Sequence, residues 1–200
     1  MTGHSTQGYA QEAPDLLKLY ESISFRKTQD SRLRFLPKPP RRLLDVGAGT
    51  GRDAAGFAAL GYDVVATEPV AEMRQGAMAL HPDRRIEWLD DSLPYLARLS
   101  RRRDRFDIVM MTAVWMHLDA DERRHGMKSV ANLLKPRGTL IMTLRYGPVP
   151  PGRRMFEVST HETIALARAQ GLILFLKRAR PTLLQRAVPV SWKQLVFRKP

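Results

Sequence analysis

The chain has 200 residues, a net charge of +13 and a hydrophobic fraction of 44%, which suits one domain with one core. It contains no cysteine, so a disulfide framework, an iron–sulfur centre, a thiolate zinc site and a cysteine nucleophile are excluded, and no metal is expected. The start, MTGHSTQGYAQE, is too polar for a secretory signal, and no apolar run approaches the roughly 20 residues that span a bilayer, so a soluble cytoplasmic protein with no membrane partner is expected.

Residues 1–38 read as an N-terminal helical cap. From Pro14 to Leu36 the residues Leu16, Leu17, Leu19, Tyr20, Ile23, Leu33 and Phe35 recur at roughly helical spacing, with a break near the middle. Pro37-Lys38-Pro39-Pro40 ends the segment, because this run cannot be helical throughout.

Residues 40–146 then alternate between two periods. Leu43 to Val46 is a short apolar strand, and Asp53 to Leu60 is an alanine-rich helix stopped by Gly61. Tyr62 to Thr67 is a strand, Val70 to Leu80 a helix, Arg85 to Leu89 a strand and Phe106 to Met111 the most apolar strand. Asp119 to Leu134 is helical, opened by a capping-box pair, Asp119 and Glu122, and closed by Pro136 and Gly138. Thr139 to Leu144 is the fifth strand. Residues 147–200 follow as a Gly/Pro-rich lid loop, a helix from the Ser159–Glu162 cap to Gln170, and two last strands at Leu172 to Lys177 and Trp192 to Arg198. Strand–helix–strand repetition implies right-handed crossovers. The expected fold is α/β: a doubly wound, mainly parallel seven-stranded sheet with helices on both faces and an antiparallel last strand. Its ligand crevice would lie at the carboxyl ends of the strands.

Much of the charge is arginine, densest at Arg101-Arg102-Arg103 with Arg105. That cluster reads as a solvated turn before a strand, or as a polyanion contact.

The sharpest motif is Asp45-Val46-Gly47-Ala48-Gly49-Thr50-Gly51, between a strand and a helix. Glycines let the backbone approach a ligand, and amides at a helix start attract negative charge. The dinucleotide fingerprint G-x-G-x-x-G needs its third glycine where Arg52 stands, so a nicotinamide dehydrogenase fits poorly. The pattern D-x-G-x-G-x-G resembles the first motif of class I S-adenosylmethionine-dependent methyltransferases. The resemblance covers about residues 40–146. It implies S-adenosyl-L-methionine as cofactor, with Asp45, Gly47, Ala48, Gly49 and Gly51 around its methionine end. Glu68, which ends the second strand, can accept both ribose hydroxyls; its plainer reading is a surface acid near a helix start. After the third strand the family places an acid and a backbone amide at adenine, which points to Asp90 or Asp91, with Ser92. The departure from the usual Gly-Asp-Ala start leaves the choice of aspartate open, and a helix N-cap is the alternative role. Thr112 follows the fourth strand, where FDIVMMTAVWMHL is similar to the family's fourth motif, and LLKPRGTLIM is similar to its Leu-Leu-x-Pro-Gly-Gly turn.

Methyl transfer from a sulfonium needs alignment, and a base only when the acceptor must lose a proton. His117 is the candidate base, or else a helix-start histidine bonded to backbone. Trp115 would wall the acceptor pocket, or simply pack. Arg145 and Tyr146 end the fifth strand, where an arginine would hold an anionic acceptor or anchor a loop. Tyr20 and Arg26 would fold over the cofactor from the cap. The family's amino-methylating enzymes of nucleic acid carry Asn/Asp-Pro-Pro-aromatic where Thr112-Ala113-Val114-Trp115 stands here. A small-molecule acceptor, methylated on oxygen or nitrogen, is therefore favoured over RNA or DNA. A non-catalytic cofactor-binding protein is the remaining alternative.

Overall fold

The structure, a computed structural model, describes residues 6–183 and 189–200. Two helices lead, α1 (Tyr9–Glu21) and α2 (Phe25–Leu33), separated by a short break. The elements that follow are β1 (Arg42–Val46), α3 (Arg52–Ala59), β2 (Asp63–Thr67), α4 (Ala71–Leu80), β3 (Ile86–Leu89), α5 (Ala97–Arg102), β4 (Phe106–Met111), α6 (Ala120–Leu133), β5 (Leu134–Tyr146), α7 (Thr160–Ala169), β6 (Ile173–Arg180) and β7 (Ser191–Arg198).

The strands form one sheet in the order β3-β2-β1-β4-β5-β7-β6. β1 pairs in parallel with β2 and β4, and β4 with β5, while β7 runs antiparallel to both β5 and β6. This is the sheet the sequence predicts, antiparallel last strand included. The order reverses between β1 and β4, and the loops leaving those two strands diverge there to open a crevice.

Side-chain alternation along each strand splits the core into two layers. On one face Leu44, Val109, Leu140 and Phe197 pack under α5, α6 and α7. On the other Leu43, Val64, Ile108 and Val196 pack under α3, whose Phe57 is fully buried. Removing each such side chain from water stabilises the fold by roughly 1.5–3 kcal/mol.

The boundaries deviate from expectation in several places: Arg101 and Arg102, expected in a turn, end helix α5, and β6 runs on to Arg180. α1 starts at Tyr9, so Pro14 lies inside the helix and not at its start. The turn that Pro136 and Gly138 were expected to make is absorbed into β5, which begins directly where α6 ends, at Leu134. A register shift between Phe106 and Ile108 takes up the irregular run, with Arg137 at φ 63°. The cap of α6 follows expectation: Asp119 accepts from the Glu122 amide at 2.9 Å, and Glu122 accepts from the Asp119 amide at 2.8 Å. Residues 184–188, part of the stretch expected to link the last two strands without a helix, lie outside the described residues.

The N-terminal helices dock through missing side chains. A β-carbon on Gly56 of α3 would sit 2.2 Å from the Phe25 ring of α2, and one on Gly76 of α4 would sit 2.3 Å from Leu17 of α1. Ala13 and Leu16 of α1 bury against Val70 and Met73. Alanine for glycine in an ordinary helix adds about 1 kcal/mol of stability. Gly56→Ala is expected to do the reverse and cost about 1–3 kcal/mol, since Phe25 must move. Urea unfolding of the two proteins side by side checks the sign.

Candidate functional site

A cavity of about 560 Å³ opens at the carboxyl ends of β1, β2 and β4, at the point where the strand order reverses. That volume lies within the range of small-molecule sites.

One end is built on backbone. Gly47, Gly49 and Gly51 all adopt positive φ, at 66°, 59° and 82°, a conformation that costs glycine nothing and costs other residues strain. The glycines serve different neighbours. A β-carbon on Gly47 would meet Val114 at 2.7 Å, and one on Gly51 would meet Trp88 at 2.6 Å. One on Gly49 would meet no protein atom within 4 Å. Gly49 lines the cavity, so a β-carbon there would project into open space.

Glu68 leaves β2 and is 7% exposed. Its Oε2 accepts from the Gly49 amide at 2.9 Å, and its Oε1 accepts from the Val70 amide at 2.9 Å. Burial pushes its pKa up, and the two amides and the Arg74 guanidinium hold it back. Each oxygen keeps a further lone pair. Asp45 is buried below the loop and also lines the cavity.

The other end is built by the segment after β4. His117 closes a 3-10 turn, Trp115–His117. Its Nδ1 lies 3.1 Å from the Arg154 carbonyl, and its Nε2 lies 3.0 Å from the Tyr9 hydroxyl. A carbonyl only accepts, so Nδ1 carries the proton, and Nε2 accepts from Tyr9. Burial, followed by the charges of Arg153, Arg145 and Arg154, lowers the pKa of His117, although the Arg154 carbonyl opposes this. Burial raises that of Tyr9.

A roof covers this end. Arg153 lies 4.3 Å over the Tyr9 ring and donates two hydrogen bonds to Glu12 of α1, at 2.8 and 2.6 Å. Arg154 donates to Asp119, Glu122 and the His117 carbonyl, at 3.0–3.1 Å. The loop between β5 and α7 is thereby tied to α1 on one side and to the start of α6 on the other.

Of the residues singled out in the sequence, Asp45, Gly47, Ala48, Gly49, Glu68, Asp91, Ser92, Thr112, His117, Arg145 and Tyr20 line this one cavity. Gly51 stands behind the loop, as the residue before α3. Asp90 is turned outward, 3.6 Å from Arg74. Asp91 is buried, and its two oxygens accept from the amides of Ser92 and Leu99, each at 3.0 Å. Trp115 lies off the cavity: it is fully buried, and its indole donates to Thr163 at 3.2 Å, because the 3-10 turn points it into the α6–α7 core. Tyr146 bonds Thr160 at 2.5 Å and also lies off the cavity, and Arg26 is exposed on α2. Arg145 donates to the carbonyls of Gly147 and Pro148, the loop-anchoring role. Tyr9, Met155, Arg153 and Trp192 line the cavity without having been singled out. Tyr9 precedes the proline at which the helix was expected to begin. Trp192 enters through the β5–β7 pairing that sets it beside Arg145.

The lowered pKa of His117 makes stability depend on pH. Below about pH 6.5 the unfolded chain binds a proton that folded His117 refuses, so stability falls as pH drops and levels off below the folded pKa. Chemical unfolding between about pH 7 and pH 5 is expected to show this fall, and His117→Gln to flatten it.

A family model for a methyltransferase domain matches residues 20–172. Uncharacterized methyltransferases of Mycobacterium tuberculosis and Mycobacterium bovis are 30% identical over 112 residues, 52% of this chain and 40% of each relative. The chain thus spans about two-fifths of the length of the curated relatives it matches. Among solved structures, a 1,6-didemethyltoxoflavin-N1-methyltransferase of Burkholderia thailandensis superposes with a TM-score of 0.74 at 19% identity, covering 96% of this chain and 85% of that one. A TehB-like methyltransferase of Corynebacterium glutamicum superposes with a TM-score of 0.69 at 19% identity, covering 98% of both chains. These two likenesses show the fold. The match to the family model, over most of the chain and across the glycine loop and Glu68, shows more: this chain belongs to the methyltransferase-domain family of the class I S-adenosylmethionine-dependent superfamily.

Proposed function

We propose that this protein is an S-adenosylmethionine-dependent methyltransferase whose acceptor is a small molecule methylated on oxygen or nitrogen. The observation that carries the cofactor assignment is the open space beside Gly49 with the buried Glu68 carboxylate tied to that residue's amide. A β-carbon would occupy that space, and a carboxylate there suits a vicinal diol. Asp45, Gly47, Ala48 and Gly49 would hold the methionine end and Glu68 the ribose, with Asp91 and Ser92 at the adenine. When bound, the cofactor supplies a methyl group on a sulfonium. The chain's part is to align the acceptor with it and to exclude water.

The small size of the acceptor is inferred from the roof. Tyr9, Glu12, Arg153 and Met155 line the cavity with His117, and the Arg153–Glu12 tie across it favours a compact acceptor. The Burkholderia neighbour was solved with 1,6-didemethyltoxoflavin and S-adenosylhomocysteine bound, which fits the same reading by analogy of fold. Among the described residues no helix is long and apolar enough to cross a membrane.

Calorimetric titration with S-adenosylhomocysteine, S-adenosylmethionine and NAD tests the cofactor. The two adenosyl compounds are expected to bind and NAD is not. Gly49→Val and Glu68→Ala should each weaken S-adenosylhomocysteine by roughly ten- to a hundredfold while circular dichroism stays unchanged, because a charged hydrogen bond is worth about 1.5–3 kcal/mol. Unchanged affinity in both variants sinks the assignment. Since burial raises the pKa of Glu68, protonation should reduce its acceptor capacity at a pH above the usual carboxylate range. Affinity measured at falling pH should drop in wild type and show no such drop in Glu68→Gln.

A further inference from the structure

We infer that Tyr9 and His117 act together as a proton-accepting pair for an acceptor that carries a weakly acidic O–H or N–H on an aromatic ring. Tyr9 meets the acceptor, and His117 stands behind it. The inference rests on the methyltransferase reading and names the acceptor class for the same site.

The geometry leaves one arrangement of protons. The Arg154 carbonyl fixes the proton on Nδ1 of His117, so Nε2 presents a lone pair, and the Tyr9 hydroxyl donates to it across 3.0 Å. The rings meet edge to face, with centroids 5.5 Å apart. Both side chains line the cavity. A phenol that donates its own proton away turns its oxygen lone pairs toward any other donor. An acceptor O–H or N–H in the cavity meets such an oxygen at Tyr9.

The charged and titratable groups around the pair hold it ready. Glu12 and Tyr20 come from α1, Arg153 and Arg154 from the loop before α7, Arg145 from β5, and Glu68 from the end of β2. The arginines and burial keep His117 neutral at rest, which keeps Nε2 able to take a proton. Methyl transfer then changes the balance. The acceptor's oxygen or nitrogen forms its bond to the methyl carbon as the carbon–sulfur bond breaks, and that bond's electron pair stays on sulfur. The acceptor's proton passes to Tyr9 Oη, and the proton of Tyr9 passes to His117 Nε2. The positive charge lost at the sulfonium reappears on the imidazolium, so the cavity gains no net charge, and the proton later leaves to solvent. Tyr20, Trp192, Met116, Met155 and Pro151 also line the cavity, and such flat and polarizable side chains favour a planar ring.

The test compares wild type, Tyr9→Phe, His117→Gln and the double variant. A panel of phenols, catechols and N–H heteroaromatics is offered with methyl-labelled S-adenosylmethionine, beside thiol and tertiary-amine controls. At least one panel compound is expected to be methylated. For it, each single variant should lower kcat by about a hundredfold, the usual scale of proton-transfer catalysis. The double variant should be no worse than His117→Gln, and the acid limb of the pH profile should vanish with His117. S-adenosylhomocysteine affinity should not move. A second readout needs no acceptor: nitrogen-15 spectra of the histidine rings should show His117 with its proton on Nδ1 and a hydrogen-bonded Nε2. Tyr9→Phe should raise the His117 pKa, because the bond it removes favours the neutral ring. The inference falls if only the control compounds are methylated, or if no compound is. It falls if Tyr9→Phe retains wild-type kcat, if the losses multiply in the double variant, or if the Nε2 signal ignores Tyr9. A latch that merely holds the roof would instead weaken S-adenosylhomocysteine and leave kcat alone. Failure of wild type to bind that compound would sink the methyltransferase reading itself, a separate result.

Discussion

The site depends on one buried carboxylate. Glu68 sits where two loops of the sheet must stay together, and its two oxygens hold an amide from each: Gly49 after β1 and Val70 at the start of α4. A charge with so little water around it is expensive to bury, and the raised pKa reports that cost. Two backbone donors and the Arg74 guanidinium offset it. The same contact therefore fixes the path of the glycine loop against the start of α4. A shorter acid would leave one of the two amides without its partner.

The opposite end is held by side chains and not by backbone. The arginine pair Arg153-Arg154 reaches in two directions, one fork to Glu12 on α1 and the other to Asp119 and Glu122 at the start of α6. Asp119 and Glu122 already cap α6, so the residues that start a helix also fasten the loop above the cavity. One end of the cavity is thus held by backbone amides on Glu68, and the other by side-chain contacts that join three separate segments. Loops carried on a fixed scaffold are where specificity varies.

Much of this was legible in the sequence because it is local. The doubly wound parallel sheet followed from alternation of periods, the antiparallel ending from the lack of a helix between the last two strands, and the glycine loop and Glu68 from spacing along a single β–α–β unit. The α6 cap was readable in four consecutive residues. What was not legible depends on pairings between distant segments. Trp115 and Trp192 are alike in type, yet a 3-10 turn sends the first into the core while strand pairing brings the second to the cavity. Asp90 and Asp91 are neighbours, and only the fold turns one outward and buries the other. Tyr9 was hidden because a proline, which usually opens a helix, sits inside this one.

Tyr9 and His117 are 108 positions apart, and Glu12 and Arg153 are 141 apart. During synthesis the cap emerges first and can dock on α3 and α4 early, but its ties to His117 and Arg153 must wait for most of the sheet. The glycine loop and Glu68 lie only 19 residues apart and can form as soon as the first two strands meet. Closing the long loop has an entropic cost that is met only after the sheet exists. The order of assembly is thus floor first and roof last. A chain caught between the two stages would hold the Gly49–Glu68 contact formed beneath an uncovered cavity.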